Sequence, residues 1–253
     1  MLYRVFQPSP SLQPYIDRYW FLSGFWPQEE RVTVMPDGGT HLVLNLGEDI
    51  RSLRFQEVVK SEGLLLVGTM LQWDEQVLRG ESRLFGIQFK PGAFTHFYRW
   101  ESMGQAANQV QAFSRNLFPD LKKTIPELVS CADDFYLKRL SPPKQSLLSV
   151  VADIERHGGQ VRLDALAKRH FTTERQLERQ FQQQIGVSPK EFLNLTRFNR
   201  ALEKIQQQQH RSLSDIAWDC GYYDHAHLSN DFKRYTGTTP TSLILSDFSK
   251  TVA

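Results

Sequence analysis

The stretch GYYDHAHLSNDFKRYTGTTP, residues 221–240, places its large apolar residues in one narrow stripe. At about 100° per residue, Leu228, Phe232 and Tyr235 fall on one side of a helix that begins near Asp224. The opposite side carries small polar and basic residues. An ordinary solvated helix has a similar division, so this stretch alone does not distinguish a surface helix from one that contacts a ligand.

A second apolar stripe precedes this helix. Leu213, Ile216, Ala217 and Cys220 are spaced as i, i+3, i+4 and i+7, which is typical of the buried face of a short helix. Gly221 can adopt the left-handed conformation that ends a helix. Two short helices joined by a tight turn, the second amphipathic, predict a helix-turn-helix unit.

The same template occurs once before in the chain. Residues 166–189 repeat the pattern of residues 216–240, with one extra turn residue in the second copy. The matched positions are Leu166 and Ile216, Ala167 and Ala217, Leu177 and Leu228, Phe181 and Phe232, Gly186 and Gly237, and Pro189 and Pro240. A repeated arrangement favours a shared function over two coincidental surface helices.

The outward faces of the second helix in each copy carry groups that can form hydrogen bonds with base edges or phosphates. Guanidinium groups suit guanine, amides suit adenine, and a carboxylate can accept a hydrogen bond from cytosine. The predicted base-reading residues are Arg175, Gln176, Glu178, Arg179 and Gln182 in the first copy and Ala226, Ser229, Asn230 and Lys233 in the second.

The region from Lys144 to Leu243 resembles the DNA-binding domain of the AraC/XylS family of bacterial transcription regulators. The resemblance is carried most specifically by Ile216-Ala217, Gly221-Tyr222, His227-Leu228-Ser229, Phe232-Lys233, Gly237 and Pro240. It implies two helix-turn-helix units joined by a long helix from Pro189 to about Gln209. That helix would hold two recognition helices for successive major-groove segments about one helical turn apart.

The connector and the flanking contacts follow from this resemblance and from the residue types. Ser188 is expected as the N-cap of the connector, with Pro189 at its first position. Its packing positions are Phe192, Leu195, Leu202 and Ile205. The resemblance places His225 within reach of DNA, and it places His227 beside the turn or at a phosphate. The expected phosphate contacts are Lys190, Arg197, Lys233 and Arg234.

Two positions depart from the family pattern. Asn230 stands where the family often has Arg, and Leu243-Ile244 replaces an aromatic-basic pair. The first departure alters the expected contact at that point of the recognition helix.

The first hundred residues contain short apolar stretches bounded by turn residues. The stretches THLVLNLG, LLLVGTM and RLFGIQFKPG predict strands. From about Gly104 to Leu140, helical spacing predicts a helical extension that docks on the strands or pairs with a second copy, with Pro126 opening or kinking a helix. The residues with this spacing are Leu121, Ile125, Leu128, Val129, Ala132 and Phe135.

The predicted fold class is therefore α+β. A mostly β domain, barrel or sandwich-like, with a helical extension occupies residues 1–140, and it is predicted to be an effector-sensing or dimerisation domain. The proline-bearing stretch SPPKQS forms a linker at residues 141–146. Residues 147–253 form an all-α DNA-binding domain with two helix-turn-helix units joined by a long helix.

Ligand and metal sites have weaker signals. Trp20, Trp26, His41, Trp73 and His96 are candidates to line an effector pocket in the first domain, or else residues of its core. No metal or other cofactor is predicted, because His41 lacks the neighbouring ligands of a metal site.

Composition and missing motifs bear on the alternatives. The two distant cysteines match no redox or metal spacing and the start of the chain lacks a signal-peptide core, which together predict a reduced cytoplasmic protein. The short apolar run GLLLVGTML predicts that the chain does not insert into a membrane. The net charge of +2 is too small to indicate nucleic-acid binding by itself. No phosphate loop, dinucleotide fingerprint, Gly-x-Ser-x-Gly or HExxH motif is present, so an enzyme is not expected. A DNA-repair methyl acceptor fused to such a domain needs a cysteine cluster, whereas the first domain has only Cys131. A protein that does not bind DNA would not need Arg175 or Arg179.

The sequence thus predicts a sequence-specific, DNA-binding regulator of transcription. Its partner is double-stranded DNA. RNA polymerase, a small-molecule effector and a second copy of the chain are further candidate partners. Ligand binding or self-association of the first domain would change how often the two units engage DNA together.

Overall fold

The computed structural model describes residues 2–120, 125–207, 212–245 and 251–252. The strands are β1 (Leu2–Phe6), β2 (Ile16–Val34), β3 (Thr40–Asn45), β4 (Ile50–Ser52), β5 (Val58–Val59), β6 (Leu64–Val67), β7 (Asp74–Phe89), β8 (Val110–Ala112) and β9 (Thr251–Val252). The α-helices are α1 (Ile125–Arg139), α2 (Leu148–Arg156), α3 (Leu163–Arg169), α4 (Glu174–Gln184), α5 (Pro189–Gln207), α6 (Leu213–Asp219), α7 (His225–Thr236) and α8 (Pro240–Leu245). No helix in these ranges has the length and apolar character needed to cross a membrane.

Two long strands form the centre of the sheet. β2 pairs antiparallel with β7 from Ile16 opposite Phe89 to Val34 opposite Asp74, with two irregularities in register. The strand order is β1-β2-β7-β3-β6-β8, and β4 pairs with both β5 and β7. β9 pairs parallel with β2. The strand-rich first part predicted from the sequence is therefore confirmed as a mostly antiparallel sheet.

The two faces of the sheet bury different residues, because side chains alternate along each strand. Tyr19 and Phe85 lie in a core with Tyr136 of α1, so the helical extension docks on the strands. Trp20, next to Tyr19, lies on the other face and covers Gly86. A methyl group added at Gly86 would come within 1.9 Å of the Trp20 indole, so only glycine leaves room for this ring.

The described chain from Met103 to Asp120 differs from the helix predicted there. It contains 3-10 turns at Met103–Gln105 and Arg115–Leu117, with β8 between them. β8 pairs with β6, so the sheet supplies the partners of residues 110–112. The α-helix begins at Ile125, and Pro126 stands in its first turn, where a missing N–H is tolerated. Leu121 lies outside the described residues.

Helices α2 to α8 pack around a second core, which also includes Met35 and Leu71 from the first part of the chain. Residues 141–147 contain no helix, and hydrogen-bond contacts with His96 hold the segment near both of its ends. The Ser141 backbone N–H donates to the carbonyl of His96 (2.7 Å), and the Ser146 hydroxyl lies 3.0 Å from the His96 ring. The linker between two domains predicted at residues 141–146 stays a prediction.

Candidate nucleic-acid interface

The first helix-turn-helix unit consists of α3 and α4. Leu166 of α3 is buried against Leu177 and Phe181 of α4, as the apolar spacing predicts. Thr173 caps α4. Its hydroxyl accepts a hydrogen bond from the Gln176 N–H (3.2 Å), and the Gln176 side chain accepts one from the Thr173 N–H (3.3 Å). This capping box fixes where the recognition helix begins.

The predicted base-reading residues of α4 form one exposed face. The exposed residues are Arg175, Gln176, Glu178, Arg179 and Gln182. The Gln176 side-chain oxygen is used by the cap, which leaves its NH₂ group for contacts outside the domain. Gln182 lies at the end of the helix, where its backbone carbonyl accepts a hydrogen bond from the Ser102 hydroxyl (3.1 Å) of the first part.

The second unit, α6 and α7, has the same construction. Ile216 and Cys220 are buried, and Gly221 adopts φ +74°, as expected for the end of α6. Asp224 caps α7 by accepting a hydrogen bond from the His227 N–H (2.7 Å). Leu228 of α7 is buried, together with Phe232 and Tyr235 one and two turns further on. The sequence-based prediction of this unit is confirmed.

The outward face of α7 contains the predicted contacts of the second unit. His225, Ala226, Asn230, Lys233 and Arg234 are exposed, and Ser229 is half-buried. The exposed His227 has its ring edge-on to Tyr222, with ring centroids 5.1 Å apart. His227 therefore packs beside the turn, which is one of its two expected positions.

Helix α5 connects the two units and begins with a second capping box. The Ser188 hydroxyl accepts a hydrogen bond from the Glu191 N–H (3.2 Å), and the Glu191 carboxylate accepts one from the Ser188 N–H (2.9 Å). The predicted start at Pro189 and the predicted buried positions are confirmed. The helix is described to Gln207, and the predicted end near Gln209 lies outside the described residues.

Aromatic side chains attach α5 to both recognition helices. Phe192 packs edge-on against Phe181 of α4, with ring centroids 5.8 Å apart. One and a half turns further along α5, Phe198 contacts Phe232 and Tyr235 of α7 at 4.9 Å and 4.7 Å. All five rings are buried, so α5 is packed tightly against both α4 and α7 and helps to fix their spacing.

Arg197 is the least accessible of the predicted phosphate contacts. Its side chain is 20% exposed, and its guanidinium lies 4.8 Å from the centre of the Tyr222 ring. It also donates a hydrogen bond to the Asn194 side chain (3.0 Å) and approaches Asp231 at 4.0 Å. Arg197 thus links α5 to the turn of the second unit, a structural role that sequence reasoning missed. Lys190, by contrast, is exposed.

Asp153 on α2 is a further residue that the sequence did not single out. Its side chain is 5% exposed and accepts two hydrogen bonds from Arg169 (2.7 and 2.8 Å) and one contact from His170 (3.1 Å). Both partners belong to the C-terminal end of α3. Asp153 therefore holds α3 against α2, and a lone Asp on an apolar helix face is the signal that would have identified it.

Asp153→Asn is expected to lower the free energy of unfolding at neutral pH by about 2–3 kcal/mol, since charged hydrogen bonds are lost. Burial opposes the charge on Asp153, but hydrogen bonds from Arg169 and His170 bring its pKa below the ordinary value. Because the pKa of Asp153 is lower in the folded protein than in the unfolded chain, the ionised carboxylate stabilises the fold at pH values above the unfolded-state pKa. This contribution to the free energy of unfolding is lost as the pH falls through the folded-state pKa. Urea unfolding across a pH series measures both effects.

The exposed Asp134 provides the matched control, because Asp134→Asn removes the same charge without a buried partner. The difference between wild type and Asp153→Asn should shrink as the pH falls. A difference of the same size at every pH would contradict the assigned ion pair.

The candidate ligand residues of the first part separate into two groups. Trp20 and His41 line a cavity inside the sheet. Trp26 instead packs over Gly24, and Trp73 lies against Gly237. His96 is buried beside Ser146. Two of the five candidates, Trp20 and His41, therefore lie at one cavity, and an effector pocket there stays a prediction.

Comparisons with known proteins agree with this geometry. Residues 166–244 match a model described as a helix-turn-helix domain. Residues 4–111 match one described as a domain of unknown function, DUF6597. The transcriptional activator RhaS of Escherichia coli O139:H28 is 34% identical over 95 residues, which cover 37% of this chain and 34% of RhaS. RhaS of Pectobacterium carotovorum is 26% identical over 166 residues, covering 60% of this chain and 59% of that protein.

The matched region thus spans about a third of the first relative and under two thirds of the second. A structural match extends over more of the chain. ToxT from Vibrio cholerae superposes with a TM-score of 0.50 and 10% identity, covering 90% of this chain and 97% of ToxT. This likeness concerns the fold, a sheet followed by helices. Residues 166–244 of this chain are a helix-turn-helix domain of the AraC/XylS family.

Proposed function

We propose that this chain is a sequence-specific, DNA-binding regulator of transcription that inserts α4 and α7 into successive segments of the major groove. The attachment of both helices to α5 through buried aromatic rings carries this proposal. A fixed spacing lets two short helices read one site as a unit. The name of the RhaS relatives, transcriptional activators, supports activation as the direction of regulation.

The contacts divide into two kinds. Exposed basic residues at the edges of the two units, such as Lys190 and Arg234, set the register by binding phosphates. Arg175 and Arg179 on α4 and Asn230 on α7 read base edges in the major groove. A regulator of this kind has no catalytic step and works in the bacterial cytoplasm with double-stranded DNA and RNA polymerase as its partners.

The first part of the chain is proposed to control this DNA binding, through a small-molecule effector or a second copy of the chain. The support comes from residues 68–74, called here the bridging segment, which joins β6 to β7. The Thr69 hydroxyl donates to the Ile185 carbonyl (2.8 Å) just after α4, and the Trp73 N–H donates to the Tyr235 carbonyl (3.0 Å) in α7. One segment therefore contacts the C-terminal ends of both recognition helices.

Selection of bound sequences from a random DNA pool tests the proposed function. The full chain is used, and the selected sequence is titrated against scrambled DNA at fixed salt. Two conserved blocks about one helical turn apart are expected. Binding that ignores sequence and fades with rising salt would leave only electrostatic attraction and would refute the proposal.

A further inference from the structure

The bridging segment has a second face, which points into the cavity of the sheet. Its odd-numbered residues Thr69, Leu71 and Trp73 contact the helical part, as described above. Its even-numbered residues, from Gly68 through Met70 and Gln72 to Asp74, line the cavity. A molecule in the cavity would therefore touch the same segment that contacts both recognition helices.

The cavity has a volume of about 100 Å³ and mostly apolar walls. The walls include the Trp20 indole, Leu22 and Val43. An engineered apolar cavity of ~150 Å³ binds benzene, so the scale suits a compact organic molecule. The ligand therefore needs an apolar body of a few carbon atoms up to about one ring.

Two of the polar groups that line the cavity, Asp37 and Asp74, are acidic. Asp37 accepts hydrogen bonds from the Gln88 side chain (2.7 Å) and the Gly39 N–H (2.8 Å), and it lies 3.0 Å from His41. Asp74 also lines the cavity and accepts a hydrogen bond from the Ser52 hydroxyl (2.9 Å). Two carboxyl groups thus face a largely apolar space.

The lining offers little positive charge to balance them. Among the described residues that line the cavity there is no Lys or Arg, and His41 is the basic side chain. Arg18 acts on Asp37 from outside the lining, and it is paired with Asp17 at 2.8 Å. Burial opposes ionisation of Asp37, but His41 and the hydrogen bonds bring the Asp37 pKa below its ordinary value. An ionised carboxylate in an apolar cavity attracts a cation and repels an anion.

Asp37 also adjoins the connector helix. The next residue, Gly38, adopts φ +85°, and its α-carbon faces Phe192 and Leu195 of α5, which a methyl group there would approach to 3.2 Å and 3.5 Å. Phe192 is the residue that attaches α5 to α4. A ligand at Asp37 therefore lies close to α5 as well as to the bridging segment.

We infer that the cavity binds a small organic amine, with its ammonium group at Asp37 and its apolar body beside Trp20 and Leu22. The bound amine changes the fit of the bridging segment against the two helix-turn-helix units. The inferred binding site is argued from the cavity alone, whereas the effect of the bound amine on DNA binding rests on the proposed function.

Calorimetric titration of the full chain tests the chemical class. Ethylamine, cyclohexylamine and benzylamine are each compared with the alcohol and the carboxylate of the same carbon skeleton. At least one amine should bind saturably, about tenfold or more tighter than its alcohol, because one ion pair in a partly buried site is worth over ~1.4 kcal/mol. The carboxylates should not bind. Tighter binding of a carboxylate, or no saturable binding by any amine, would overturn the inference.

Three variants of the full chain locate the site. Asp37→Asn should reduce amine binding to the level of the alcohol, whereas the exposed control Asp134→Asn should leave it unchanged. Val43→Phe leaves Asp37 in place but fills the cavity, so it should abolish binding of amine and alcohol alike. Val43→Phe also tests the location of the site if Asp37→Asn fails to fold. Amine binding that survives Val43→Phe would place the ligand elsewhere.

The effect on DNA is measured separately. The bound amine should change the affinity for the selected two-block site by about fivefold or more and leave the affinity for a single block unchanged. Amine binding without any selected DNA motif would retain the cavity site and refute the proposed function. A selected motif without amine binding would support the proposed function and refute the amine site.

Discussion

Phe198→Ala is expected to lower the free energy of unfolding by about 3–5 kcal/mol and to abolish binding to a two-block site. Phe198 is fully buried and packs against Phe232 and Tyr235, the residues through which α5 contacts α7. The loss combines apolar surface returned to water with a cavity that the rigid helices cannot close. Binding should fall further than stability alone requires, because α7 loses its fixed distance from α4.

The chain provides a matched control for this substitution. Phe171 lies in the turn between α3 and α4 with 97% of its surface exposed, so Phe171→Ala removes the same atoms without opening a cavity. Urea denaturation measures the free energy of unfolding of both variants, and DNA titration measures their affinity for the two-block site. Similar midpoints for the two variants would show that Phe198 does not hold the second unit to α5.

Arg175→Ala/Arg179→Ala is expected to weaken binding to the selected site by about 1–3 kcal/mol for each bidentate base contact, or roughly 5- to 150-fold per residue. Both side chains are exposed on α4 and lie opposite the buried Leu177. The base preference at the contacted positions should relax while the block read by α7 stays selective. Repeating the selection with the variant measures both effects.

Arg79→Ala/Arg83→Ala is the control, because it removes the same charge from exposed positions of β7. This control should change affinity only slightly, and equally for all DNA sequences. If Arg175→Ala/Arg179→Ala also weakened binding equally on every sequence, these residues would be phosphate contacts rather than base contacts.

The helix-turn-helix units were predictable because their signals are local. Leu228, Phe232 and Tyr235 follow the helical period, Asp224 and Gly221 are the expected cap and turn residues, and all lie within 15 residues of chain. The repetition at residues 166–189 then supplied independent support. Periodicity, capping and turn chemistry all indicate the same arrangement there, and the structure confirms it.

The stretch after Gly104 illustrates where local reasoning fails. Its spacing suggested a helix, but β6 had an unpaired edge, and Val110 pairs opposite Val67 instead. Residues 110–112 of this stretch pair with a strand that is distant in sequence. A sequence pattern contains no information about which edge is vacant, so tertiary pairing overrides the local period.

The sequence named Trp20 and His41 as pocket candidates, but the rest of the cavity and the bridging segment could not be predicted, because they depend on residues that are distant in sequence. Trp20 and Gln88 lie on the paired strands β2 and β7, whereas Asp37 lies in the loop between β2 and β3, and the folded sheet brings the three together. Likewise, the sequence predicted a phosphate contact for Arg197 but gave no sign of its contact with the Tyr222 ring. Residue type indicated the chemistry available, whereas packing decides which groups remain accessible.

The spacing of the two DNA blocks tests the central claim most directly, that α5 makes two reading helices into one unit. The affinity of the full chain is measured for its selected site and for sites with about five or about ten extra base pairs between the blocks, half a turn and a full turn of DNA. Both insertions should reduce affinity to that of a single block, because α5 has a fixed length. Undiminished binding to either site would contradict a rigid pair of recognition helices.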